Sequence, residues 1–398
     1  MVDLTLIVVL VIVLALFFDF TNGFHDTANA MATPIATGAL KPRMAVALAA
    51  VLNLVGAFLS TEVARTISGG LIREGDGGIQ ITPEMIFAGL IGAVCWNMVT
   101  WLFGLPSSSS HALFGGLIGA AVVGAGLGSV DFTVLVSKVV LPALVAPIVA
   151  GVVAFVATRL AYAITRDPAT GRGLGRGNFR YAQIFSSSLV ALAHGTNDAQ
   201  KTMGVITLTL IATGAQAVGT GPEFWVIAAC ALAIALGTYT GGWRIIKTMG
   251  TGLTDIKPAQ GFAAETSTAA TILASSHLGF ALSTTQVASG SVIGSGLGRK
   301  GASVRWRTAG RIALGWLLTL PAAAAVGAVA ALLVSIGPVG IIIDAVLGLA
   351  VIVAIFVISS RDKVTSGTVV SEVDAAVGAV RTPKATRKNR KKKRQAAE

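Results

Sequence analysis

The chain alternates long apolar runs with short polar stretches. The runs fall at roughly 4–18, 44–61, 84–104, 107–123, 135–161, 181–193, 203–212, 224–243, 258–280, 284–298, 308–334 and 339–360. A helix needs about 20 residues to cross a ~30 Å hydrocarbon core. The longer runs predict transmembrane helices. The short ones, broken by Gly or Ser, predict broken or re-entrant helices, whose irregular backbone must be buried in protein or line a wet cavity. The runs are continuous rather than alternating, which argues against a membrane β-barrel. Composition agrees: of 398 residues, 54% are hydrophobic and 12% charged, with mean hydropathy +0.78. A soluble domain carries about 25% charged residues, so a soluble enzyme and a disordered chain are both excluded. Asp3 near the start, with no basic leader and no small-residue cleavage site, predicts that the first run is kept as a membrane helix. Cys95 and Cys230 both lie inside apolar runs, so no disulfide framework is expected.

Two stretches occur twice. Gly23-Phe24-His25-Asp26-Thr27-Ala28 aligns with Gly195-Thr196-Asn197-Asp198-Ala199-Gln200, at an offset of 172. Pro106-Ser107-Ser108-Ser109-Ser110-His111 aligns with Ala281-Leu282-Ser283-Thr284-Thr285-Gln286, at an offset of 175, and matching glycines follow at Gly115 and Gly290. Two matches in the same order at nearly the same spacing indicate an internal duplication.

Charge orients the two copies. The loop at Lys41-Pro42-Arg43 is basic, whereas its counterpart near 213–223 has no Lys or Arg and contains Glu223. Segment 62–84 is mainly acidic, and its counterpart carries Arg244, Lys247 and Lys257. Segment 124–134 has only Asp131, against five basic residues in 299–311. Equivalent loops of opposite bias place the copies on opposite sides of the membrane, the inverted-repeat plan of secondary transporters. The expected fold is therefore an all-α polytopic membrane protein whose two inverted-topology repeats meet at a central site through broken or re-entrant helices. The expected parts are an N-terminal repeat (1–161), a basic cytoplasmic loop (162–180), a C-terminal inverted repeat (181–334), a further helix (335–360) and a basic cytoplasmic tail (361–398). Segments 159–180, 299–311 and 361–398 hold 21 of the 30 basic residues. That bias puts the tail inside, where it anchors topology and can contact anionic lipid.

Asp26 and Asp198 sit in apolar surroundings with His25, Asn29, Asn197 and Gln200 close by. A carboxylate at bilayer depth costs about 2.5–3.5 kcal/mol on insertion scales and marks an ion path; its structural alternative is a cap on a broken helix. Oxygen clusters of this kind suit a hard cation or a proton. Ser108, Ser109, Ser110, Ser283, Thr284 and Thr285 precede apolar helical stretches, where hydroxyls cap helices. Two helix N-termini brought together by pseudo-symmetry suit an oxyanion. Lys201 can pair with that anion or with Asp198. Glu265 is a further candidate for cation or proton coupling; its repeat counterpart is Leu90, so any role is one-sided. His25, beside Asp26, is the candidate for proton handling; His111, His194 and His277 read as hydrogen-bonded core residues. No enzyme motif has its required context: Gly294-Ser295-Gly296-Leu297-Gly298 lacks a βαβ unit.

Taken together, Asn22 to Ala30, Ser108 to His111, His194 to Lys201, Gly261 to Thr266 and Ser283 to Gln286 resemble the PiT family of inorganic phosphate transporters, in family order across about 20–300. The resemblance implies a membrane symporter, not an enzyme, for orthophosphate, alone or as a metal–phosphate complex. It assigns coupling cations to the residues around Asp26 and Asp198, with sodium possible at both, and phosphate to the Ser/Thr blocks with Gln200 and Lys201. His25 resembles the bacterial low-affinity branch, which implies protons ahead of sodium as the coupling ion. No cofactor is expected; a homodimer in the cell membrane is compatible. A sulfate permease of the same fold and a non-transporting receptor or scaffold are the alternatives.

Overall fold

The computed structural model describes residues 4–70, 81–165, 179–280, 282–361 and 363–369. The basic tail reading falls largely on 370–398, and the basic loop reading largely on 166–178; both lie outside the described residues. The described chain is helical: α1 (Leu4–Ala36), α2 (Pro42–Gly56), α3 (Glu62–Gly70), α4 (Pro83–Leu102), α5 (Ser109–Ala125), α6 (Phe132–Val134), α7 (Leu141–Ile164), α8 (Phe179–Ala212), α9 (Phe224–Thr240), α10 (Trp243–Thr251), α11 (Pro258–His277), α12 (Thr284–Gly298), α13 (Trp306–Val334) and α14 (Pro338–Arg361). A π-helical stretch, Leu135–Val140, joins α6 to α7 in one span. Among the described residues, five spans are long and apolar enough to cross a membrane: Leu6–Ala36, Pro83–Leu102, Phe132–Ile164, Trp306–Val334 and Pro338–Arg361. The pair α9 and α10, bent by 67° at Gly241 and Gly242, makes a broken sixth.

Local sequence explains the boundaries. Proline opens α2, α4 and α11, where its missing N–H is harmless. Ser108 caps α5 by accepting from His111 N, and Ser283 caps α12 by accepting from Gln286 N. Gly126 (φ 81°) ends α5 in a conformation that favours glycine.

The elements repeat in order. α1 to α5 and α7 correspond to α8 to α13. α1 and α8 have 33 and 34 residues, α3 and α10 have 9 each, and α4 and α11 have 20 each. Packing repeats as well: α1 lies on α9 as α8 lies on α2, and α5 on α13 as α12 on α7. A Cβ on Gly23 would stand 2.3 Å from Ile234 O, and one on Gly195 2.2 Å from Asn53 O. Both motif helices thus approach a helix of the other half backbone to backbone, the small-residue packing that membrane interiors favour. Large apolar side chains on α7, α13 and α14, among them Leu144, Ile148, Leu317, Ile342 and Val346, face outward. This is the lipid-facing belt of a multi-pass membrane protein.

One expectation is corrected. The Asp motifs are not at helix breaks: Asp26 and Asp198 lie inside the unbroken helices α1 and α8. The breaks fall between α4 and α5, between α9 and α10, and between α11 and α12. α8 is continuous across 194–202 because its buried face is polar, carrying His194, Asn197, Asp198, Gln200 and Lys201, and neighbouring helices cover that face.

Candidate functional site

The two Asp motifs meet at the seam between the halves. Asp26 and Asp198 are buried and share a donor: Thr284 Oγ1 lies 3.4 Å from Asp26 Oδ2 and 3.3 Å from Asp198 Oδ2. Thr285 Oγ1 donates to Asp26 Oδ1 at 3.2 Å and Ser109 Oγ to Asp26 Oδ2 at 3.2 Å. Asn29 Nδ2 reaches Thr284 Oγ1 (3.3 Å) and Thr285 Oγ1 (3.0 Å), holding both hydroxyls from the α1 side. The N-termini of α5 and α12 therefore close on the carboxylates from the two halves. Each presents first-turn amides without intrahelical acceptors and the positive end of a helix dipole.

Basic groups surround the pair. Lys201 Nζ donates to Asp198 Oδ1 at 2.6 Å, and neither side chain is exposed (0% each). Of the two partners open to Lys201, Asp198 is the one it meets here. His25 Nδ1 stands 2.5 Å from Asp26 Oδ1, and its Nε2 is 3.2 Å from Ser107 Oγ, which in turn meets Thr100 Oγ1 at 2.7 Å. Asn22 Nδ2 crosses the seam to Asp198 Oδ2 at 3.4 Å.

His194, which reads in the sequence as a core histidine, stands at the carboxylate pair. Its Nε2 lies 3.2 Å from Asp198 Oδ2 and 3.9 Å from Asp26 Oδ2, aligned as a hydrogen bond with neither. Asn53 Nδ2 donates to Thr238 Oγ1 at 2.7 Å, so Asn53 Oδ1 faces His194 Nδ1 at 3.2 Å as an acceptor. That network puts a proton on Nδ1. Nε2 then meets the carboxylates either as the second N–H of an imidazolium or as a lone pair directed at a shared cation. Donor atoms of Asp26, His194 and Asp198 all lie within 4.8 Å of one another, a set that fits one small cation.

The other expected residues divide by position. Ser108 and Ser283 act as helix caps. Ser110 Oγ donates to Leu282 O at 3.1 Å, bracing α5 against the approach to α12. Asn197 is buried near Asp198 in sequence, yet neither amide atom has a partner. Gln200 is not brought to the carboxylates. Its Oε1 accepts from Val63 N (2.7 Å) and Ala64 N (3.3 Å) at the start of α3, and its Nε2 donates to Thr196 O at 2.5 Å. Both ends of the amide are thus occupied by backbone groups. Glu265 belongs to a separate buried cluster, accepting from Thr33 Oγ1, from Gln183 Nε2 at 3.1 Å and from Ser186 Oγ at 2.5 Å.

Buried carboxylates at the seam of two inverted helical halves, faced by two helix N-termini, define a secondary transporter of the inverted-repeat class. Comparison with known proteins gives the family. The model of the "Phosphate transporter family" matches residues 22–175 and 165–327. A probable low-affinity inorganic phosphate transporter of Mycobacterium tuberculosis (strain H37Rv) is 60% identical over 323 residues, covering 81% of this chain and 76% of that protein. Its namesake in Bacillus subtilis is 41% identical, over 82% of this chain and 97% of that protein. A solved structure described as the sodium-dependent phosphate transporter shares the fold with TM-score 0.72 at 24% identity, covering 83% of this chain and 99% of that one. The chain belongs to the phosphate transporter family, as its motifs led one to expect.

The solved relative also corrects the coupling ion. The sequence placed protons ahead of sodium on the strength of His25, whereas that transporter of the same fold is sodium-dependent. Both ring nitrogens of His25 lie against partners, Nδ1 at Asp26 and Nε2 at Ser107.

Proposed function

We propose that this protein is a secondary active symporter that imports inorganic phosphate together with sodium, by alternating access. The observation that carries this reading is the sharing of Thr284 between Asp26 and Asp198, which joins the acidic and hydroxyl motifs of both halves in one buried site. The relatives' descriptions supply the substrate, and the solved relative's supplies the cation. Charge explains the need for symport. Phosphate near neutral pH carries between one and two negative charges. Against an inside-negative potential a dianion costs about 4.6 kcal/mol per 100 mV. Cations held by Asp26, His194 and Asp198 offset that cost and neutralise carboxylates that would otherwise repel the anion. Ser109, Thr284 and Thr285, turned from the carboxylates toward the substrate, and the first-turn amides of α5 and α12 would hold the phosphate oxygens.

In this reading the N-terminus faces outside and the loop after α7 and the tail face inside, as the loop charges direct. Repeats 1–161 and 181–334 are the duplicated halves, 335–360 is an added helix, and the tail meets anionic lipid. A homodimer belongs to the same reading. The test is uptake into proteoliposomes. Labelled phosphate should enter only with an inward sodium gradient, and Asp198→Asn should abolish entry. Uptake of sulfate that phosphate does not compete with would make the protein a sulfate permease. Absence of any flux in the wild type would favour a receptor or scaffold.

A further inference from the structure

A second acidic position lies on α1, two helical turns before Asp26. Asp19 is fully buried (0% exposed), and neither carboxylate oxygen has a hydrogen-bond partner. Such a group in a membrane interior carries a proton or takes a companion charge. Thr202 of α8 faces it, and the Thr202 hydroxyl is itself buried and unpartnered. Asn22 follows Asp19 by one turn on the same face of α1, and helical side chains lean toward the preceding turn. Its Nδ2 is engaged with Asp198, and its Oδ1 is buried without a partner. One carboxylate, one hydroxyl and one amide oxygen are thus left unsatisfied on two packed helices.

We propose that Asp19, Asn22 and Thr202 form a second cation site, for a small monovalent cation of the sodium class. The chemistry is that of hard oxygen donors carrying a single negative charge; a divalent ion is commonly held by more carboxylates. The nearby cation, Lys201, is already engaged by Asp198. Asn22 links this site to the centre, since one end of its amide holds Asp198 while the other is buried without a partner, one turn from Asp19 on α1. A cation drawn to Asp19 therefore orients a ligand of the central cluster before the substrate arrives. The site is not part of the duplicated plan: at an offset of 172, Asp19 corresponds to Ala191 and Thr202 to Ala30. It belongs to one half alone and so adds to the asymmetry of the transport path.

The inference rests on the cation-coupled reading, and equilibrium binding of radiolabelled sodium to the purified full chain separates the two. The wild type should bind one more sodium ion per chain than Asp19→Asn, a change that keeps shape and removes charge. Thr202→Val should weaken that ion about tenfold, in the range seen when supporting partners of a metal are lost. Asp26→Asn should spare it. Binding of equal number and affinity in the wild type, Asp19→Asn and Thr202→Val would overturn the second site while leaving the central reading intact. No sodium bound by the wild type would overturn both.

Discussion

Lys201 donates to Asp198 Oδ1 at 2.6 Å, and the residue at the equivalent place in the first half is Asn29. The duplicated site is thus unequal at this position: a lysine pairs with the second carboxylate where the first half has an amide. Removing one member of a buried pair strands the other charge, at about 3–5 kcal/mol. Lys201→Asn should lower the melting temperature in detergent sharply. Lys201→Asn with Asp198→Asn should recover most of that loss yet remain inactive in uptake. Equal melting of Lys201→Asn and the wild type would show that the pair carries no such weight.

His194 stands between the two carboxylates and is held by Asn53. Loss of a group that holds or supports a bound ion costs about 10–100-fold in affinity. His194→Asn gives the second half the residue found at Asn22 in the first. It should raise the sodium concentration for half-maximal uptake by at least about tenfold. Asn53→Leu, which touches neither carboxylate, should shift it in the same direction by less.

The serines of the first block have different duties. Ser108→Ala removes a cap and should cost about 1 kcal/mol of stability with near-normal phosphate affinity. Ser109→Ala removes a donor to Asp26 and should raise the phosphate KM with little change in melting. Thermal unfolding and uptake kinetics measured on both variants check the split; identical profiles would contradict it.

Close backbone approach at Gly195 and Gly23 leaves no room for a methyl group. Gly195→Ala and Gly23→Ala should each destabilise by about 1–3 kcal/mol, the range for overpacking. Gly310→Ala, where nothing lies within 4 Å, should be neutral or slightly stabilising. Melting curves of the three variants side by side would decide.

Duplication is what made the centre legible. A lone buried Asp has many explanations, but Asp26 and Asp198, each followed by a hydroxyl block at matched spacing, leave few. Features without a repeat mate were harder to read. His194 looked like an isolated core histidine, although its spacing of one helical turn from Asp198 was a signal. Gln200 sits in the motif, yet its partners are Val63 and Ala64, 137 and 136 residues away, and only tertiary packing reveals them. α8 was read as two short runs because hydropathy measures average composition, whereas its polar residues point inward among other helices. Asp19, with Ala191 as its counterpart, offered no pattern at all.

The pairing of α5 with α13 and of α12 with α7 has an evolutionary consequence. The last long helix of each copy finishes a bundle begun by the other. A single-copy forebear would have left that helix without a partner. Two copies lying antiparallel and trading their final helices would restore that packing, the arrangement that one fused chain now holds.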